Sequence, residues 1–276
     1  MTTISCIVVT TLVVVSLANL VLLVHVIMNS IYKCSQHRTY LKRVGKIEKR
    51  EDSSFMDQEF KTTANNFVAA LIVEIDDDNF EFVCGVAIVG KKWALTPAHC
   101  VDAIVDQPLT KVKISSNTLK LKYGIWYDVD RMSKHENYKS SEHVNDIALI
   151  SVKQSFKDKE VKSVILPTRN FLYVAESSAT AIGWLGQEVF AVDLKLLPHK
   201  QCQSAYLEGV TNGTFCAERK ACVYDHGGFL IQKGVLIGTI SFGVGCNSKP
   251  VVYTKISLFE DWFKGRKIGA VFKGST

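Results

Sequence analysis

Eight cysteines are the residues of this chain whose types and spacing constrain chemistry most. Cys6 lies in an apolar N-terminal stretch and Cys34 just behind it, which leaves Cys84, Cys100, Cys202, Cys216, Cys222 and Cys246 in the body of the chain. An even set behind an export segment reads as a disulfide framework, with every pairing still open to sequence alone. No C-x-x-C pair occurs, so no structural zinc site is expected. Asn212-Gly213-Thr214 is a glycosylation acceptor, which suits an exported surface loop.

Disulfides need an oxidising compartment, and the N-terminus supplies a route to one. Residues 1–31 hold no Asp, Glu, Lys or Arg, and Ile4 to Met28 is an almost unbroken apolar run of bilayer-spanning length. It reads as a signal peptide, with Ser16-Leu17-Ala18 as a small-x-small cleavage pattern, or as a retained signal anchor. The basic run behind it would, by the positive-inside rule, hold the C-terminal side in the cytosol, against the cysteine reading. The expectation is a chain that is secreted, or anchored through residues 4–28 with its folded part outside the cell.

The formal charge of +6 is unevenly placed. Residues 32–50 carry a net +6 and residues 264–276 a net +4, which leaves 51–263 at −4. Residues 32–54 therefore read as a basic linker or propeptide and 265–276 as a basic tail. A mildly acidic body without clustered Lys and Arg excludes nucleic acid as the expected partner.

From Phe67 onward short apolar runs are divided by turns. Phe67–Ile75 and Phe80–Val89 flank Asp76-Asp77-Asp78-Asn79 as a hairpin. Further strands are expected at 92–96, 111–114, 119–125, 147–152, 178–182, 235–242 and 251–256. Many short strands argue for an all-β sandwich or barrel. Only the end reads as helix, from Ile256, Phe259 and Phe263 at helical spacing.

Within this frame Trp93-Ala94-Leu95-Thr96-Pro97-Ala98-His99-Cys100 resembles the histidine motif of the trypsin- and chymotrypsin-like serine proteases, and Asn145-Asp146-Ile147-Ala148-Leu149 resembles their aspartate motif. Gly183-Trp184, Ser241-Phe242-Gly243, Pro250-Val251-Val252-Tyr253 and Phe259-Glu260-Asp261-Trp262 follow in family order. The likeness covers residues 55–264. It implies two six-stranded antiparallel Greek-key barrels with a C-terminal helix, preceded here by an N-terminal hydrophobic helix. It also implies a site between the barrels, with His99 as general base and Asp146 fixing its tautomer. The disulfides it implies are Cys84–Cys100, Cys202–Cys216 and Cys222–Cys246.

The departures bear on activity. Where the family has Gly-Asp-Ser-Gly-Gly-Pro this chain reads Tyr224-Asp225-His226-Gly227-Gly228-Phe229, so His226 replaces the nucleophilic serine. Removing that nucleophile alone costs a serine protease about 10⁶ in turnover. The oxyanion donors would come from the backbone at Tyr224 and His226, and a side chain at Tyr224 stands where the family has the glycine of that turn. Losing one such donor costs on the order of 10²–10³. The resemblance places Lys220, Ser241, Gly243 and Val251 around the specificity pocket. Lys220 stands where an acid would select basic residues, and Val251 replaces a wall glycine. Ser54-Phe55-Met56-Asp57 falls at the activation junction with no basic residue before Phe55.

His99 and His226, with Asp146 behind one imidazole, would make only a partial zinc site, because zinc takes three or four ligands. No metal and no cofactor are expected. The expectation is an inactive homologue of a serine endopeptidase that acts by binding protein, such as an extracellular protease or its substrate. The alternative is a hydrolase of the same family with a nonstandard nucleophile.

Overall fold

The computed structural model describes residues 66–76, 79–116, 121–156, 161–185, 188–206, 208–218, 227–243 and 249–275, with the backbone alone at Lys122 and Leu185. All of these belong to the unit Phe60–Thr276. The expected N-terminal helix and linker, together with Cys222, Cys246, Lys220, Tyr224 and His226, lie outside the described residues. Among the described residues no helix is long and apolar enough to cross a membrane.

The strands are β1 (Val68–Asp76), β2 (Asn79–Gly90), β3 (Trp93–Thr96), β4 (Val112–Ser116), β5 (Ile125–Lys134), β6 (Ala148–Val152) and β7 (Leu166–Pro167). They continue as β8 (Ser178–Leu185), β9 (Glu188–Lys195), β10 (Thr214–Ala217), β11 (Phe229–Gln232), β12 (Val235–Phe242), β13 (Val251–Lys255) and β14 (Phe272–Lys273). The first six close a barrel in the order β1-β2-β3-β6-β5-β4. The second sheet runs β10-β13-β12-β11-β8-β9, and β14 pairs in parallel with β7.

Period-two alternation explains how one strand serves two cores. Along β1, Ala69, Leu71 and Val73 fill the barrel interior with Val86, Ile114, Tyr127 and Ile150. Val68, Ala70 and Ile72 point the other way, into a second core shared with Leu149, Ile182, Trp184, Phe229 and Phe263. That shared core fastens the barrel to the second sheet. Within it the Trp184 indole N–H donates to the Ala69 carbonyl at 3.2 Å.

Three expectations change. Helix was expected only at the end of the chain, but Ala98–Asp102 and His199–Ala205 are helical as well. A strand was expected at 119–125, but Leu121–Tyr123 forms a 3-10 turn that buries Leu121 and leaves Tyr123 73% exposed. The strand runs instead over Ile125–Lys134, where buried Tyr127 and Val129 alternate with exposed Asp128 and Asp130. Among the described residues the second barrel does not close through a strand pair. Its edge strands β9 and β10 meet through the Leu196–Ala217 bridge, flanked by backbone hydrogen bonds from Leu197 to Cys216 and from Glu218 to Lys195. At the C-terminus, Ile256 and Phe259 sit in a 3-10 turn that leads into the helix Glu260–Gly265, and both are buried with Phe263.

Candidate active site

His99 is carried by the short helix Ala98–Asp102 at the end of β3. Pro97, with φ −61° and ψ 151°, ends the extended strand and opens the helical turn. The next residue, Cys100, is bonded to Cys84 on β2, which pins this helix to the barrel wall. The Thr96 hydroxyl adds a hydrogen bond to the Gly85 carbonyl at 3.1 Å.

Asp146 precedes β6 in a loop whose His143 and Asn145 have φ of 52° and 53°. Asn145 steadies the loop by donating to the Asn137 carbonyl at 2.9 Å. The Asp146 side chain is fully buried. One carboxylate oxygen accepts the His99 backbone N–H at 3.0 Å. The other accepts the His99 ring at 2.8 Å and the Ser241 hydroxyl at 2.6 Å.

Burial works against the charge of Asp146. Hydrogen bonding from the His99 ring, attraction to that ring, and the hydroxyl of Ser241 outweigh it and hold the carboxyl below its ordinary range. With the proton of His99 on Nδ1, its Nε2 carries the lone pair, which is the tautomer a general base needs. The arrangement can take a proton from a group presented to Nε2 and stabilise the imidazolium that results. The residue also ties the two sheets together, since the Asp146 carbonyl accepts the Thr254 hydroxyl of β13 at 3.2 Å.

The remaining expected site residues fall into two groups. Cys202–Cys216 is formed as expected, joining the helix His199–Ala205 to β10. Ser241 turns its hydroxyl toward Asp146, and Gly243 has φ 84°, where an added Cβ would lie 2.8 Å from the Pro250 carbonyl oxygen. Val251 is 1% exposed and packs with Ala217, Ile240 and Tyr253. Asn212 is exposed in the turn before β10, whose Thr214 hydroxyl is engaged with the Thr211 backbone. His226, Tyr224, Lys220 and the Cys222–Cys246 pair lie among the residues not described.

Gly227, the residue after His226, has φ 102°. A Cβ there would come within 2.5 Å of the Gly85 carbonyl oxygen, so the chain passes close against β2 at this point and only glycine fits. The sulfurs of Cys84 and Cys100 and the His99 ring are clustered closely enough to suggest metal ligation. The two sulfurs are bonded to each other, which removes the thiolates a metal would need.

One residue that the sequence reading did not single out, His143, lies beside the site. The His143 ring stacks on Phe242 at 4.7 Å and 29°, and Phe242 meets the edge of Tyr206 at 5.2 Å. Burial pushes the His143 imidazole below its ordinary value, while Asp146 pulls the other way. Its position three residues before Asp146 was the available signal.

The family model described as Trypsin matches residues 57–263. Trypsin Blo t 3 of Blomia tropicalis is 30% identical over 208 residues, covering 67% of this chain and 77% of that protein. Trypsin-1 of Salmo salar is 29% identical over 197 residues, covering 65% and 78%. Transmembrane protease serine 11G of Mus musculus is 27% identical over 210 residues, covering 67% and 49%. Among solved structures, neuropsin, a serine protease of mouse brain, superposes with a TM-score of 0.62 at 26% identity, over 73% of this chain and 94% of that one.

Proposed function

The chain belongs to the trypsin family, and from that premise we propose that it is a catalytically inactive member that works by binding another protein. The observation that carries this reading is Tyr224-Asp225-His226-Gly227-Gly228 in the position of the family's serine element. An imidazole at 226 removes the hydroxyl that His99 would deprotonate. Lys220 reverses the charge at the pocket base. The enclosed Val251 supports a pocket filled from within, since its side chain takes up space that a glycine would leave open. Loss of chemistry does not remove a rigid scaffold with exposed loops, which can go on binding. The chain is read as exported, either secreted or held at the membrane through residues 4–28. Its partner is read as an extracellular protease or that protease's substrate.

A second reading has its own support. The His99–Asp146–Ser241 array keeps the geometry of a working general base, and a hydrolase with a substitute nucleophile would use it. Labelling with a broad fluorophosphonate probe and peptide-substrate turnover separate the two, measured on the full chain from a secretory host beside a His226→Ser variant. The inactive reading expects neither label nor turnover from the native chain. Turnover that disappears in His99→Ala would overturn it. A silent His226→Ser variant would assign part of the block to Lys220, Tyr224 and Val251.

A further inference from the structure

A second concave surface lies on the outer face of the closed barrel, built on different residues from the His99 site. It is a cavity of ≈ 310 Å³ lined by Lys92, Trp93, Asp130, Arg131, Ser151 and Lys153, with Val152 alongside. The strand register explains its form. Trp93 of β3 is paired with Ser151 of β6, and Ser151 with Arg131 of β5, so the three stand in one row across the sheet. The pairing slips between Val129 and Arg131, leaving Asp130 in a bulge at the edge of that row. Bulges re-aim side chains in this way beside binding sites.

The row is cross-braced. The Arg131 guanidinium lies over the Trp93 ring at 5.9 Å. Ser151, 5% exposed, donates to the Asp130 carboxylate at 3.2 Å. Lys92 donates to the Lys153 carbonyl at 2.8 Å, while the Val152 amide bonds back to the Lys92 carbonyl at 3.0 Å. Among the described residues neither Arg131 nor Lys92 has a carboxylate partner, and Lys153 reaches Asp128 only at 4.0 Å.

We propose that this groove is a docking site for an acidic, extended segment of a partner protein. Three cations around one Asp suit a ligand with spaced carboxylates. Its backbone N–H groups could donate to Asp130, and an apolar or aromatic side chain could lie against Trp93. A uniformly sulfated glycan would bring anions up to Asp130 and Asp128 without donors to satisfy them. Arg and Trp are also among the residue types enriched at protein interfaces. The proposal is independent of whether the chain cleaves peptides, since a hydrolase would carry the same groove, and its readout does not use activity.

The test is fluorescence anisotropy of the full chain with a fluorescein-labelled peptide in which phenylalanine is flanked by glutamates. Saturable binding that weakens with added salt is expected. Lys92→Glu/Arg131→Glu should weaken it by about tenfold or more. Lys200→Glu/Lys233→Glu makes the same charge change at exposed positions in the helix His199–Ala205 and in the turn between β11 and β12, and should leave it within about twofold. The four side chains are exposed, so each variant should melt within about 2 °C of the native chain. Absence of binding, or equal losses in the two double variants, would overturn the proposal. So would a heparin oligosaccharide that binds more tightly than the peptide and loses affinity with Lys92→Glu/Arg131→Glu, which would make this a glycan site.

Discussion

The closed barrel and the second sheet differ in where they keep and where they lose the marks of their family. The barrel closes through strand pairs all the way round and holds His99 and Asp146 in hydrogen-bonded register. Among the described residues the second sheet meets itself at the Leu196–Ala217 bridge and not through a strand pair. Lys220, Tyr224, His226 and Val251, where the resemblance places the nucleophile, its oxyanion turn and the pocket, all follow β9 in the chain. On the proposed reading, the attacking group and the pocket are lost on one side of the cleft while the general-base side keeps its geometry, because the two sides rest on different strands.

The largest expected effect tests whether the two halves are independent. Trp184→Ala removes a side chain that is 2% exposed from the core they share, together with its bond to Ala69. It should cost about 3–5 kcal/mol. Chemical denaturation should show one cooperative transition shifted as a whole. Early loss of hydrogen-exchange protection in the second sheet alone would show that the halves unfold separately.

Asp146→Asn probes the tie at the cleft. It replaces a buried carboxylate that accepts three hydrogen bonds with an amide that can accept fewer, at an expected cost of about 1.5–3 kcal/mol near neutral pH. Because the folded carboxyl is held low, its contribution is fully present above the unfolded value of about 3.9 and is lost as pH falls through the folded value. Denaturation curves across the acid range should therefore fall less steeply in the variant than in the native chain.

Gly243→Ala sharpens the contrast on the second sheet, where it forces a side chain into φ 84° against the Pro250 carbonyl. The expected cost is about 1–3 kcal/mol, read as a lower melting temperature. The smallest effect belongs to His143. Its folded imidazole is pushed low by burial, so the unfolded chain takes up the proton first as pH drops below about 6.5, and stability falls in that window. His143→Phe should flatten this part of the pH profile. His135 is shifted in the same direction, also by burial, and the slope it contributes should persist.

Much of this arrangement was legible before the structure. The apolar run Phe67–Ile75 became β1 with a one-residue shift, and Val235–Phe242 became β12 at its expected bounds. Phe80–Val89 ran one residue longer at each end, as β2. The motifs around His99 and Asp146 named the pair that the structure joins. Strand β5 was missed because its outward positions carry Asp128, Asp130 and Arg131, which dilute an apolar run, and because the bulge at Asp130 interrupts its alternation. The stacking of His143 on Phe242 depends on a left-handed turn residue meeting a strand almost a hundred residues further on. No local pattern encodes that contact. The groove at Trp93 was invisible for the same reason, since it arises from register across three strands and from a bulge between two of them.

Asp146 binds the His99 helix, Ser241 of β12 and Thr254 of β13 with one side chain and one carbonyl. Natural selection would therefore retain it for folding in a lineage that had stopped hydrolysing anything. Its presence in a descendant chain is a poor witness to turnover. A survey of relatives that sorts active from silent members would have to rest on the residue at 226, and would count a surviving aspartate as a record of architecture.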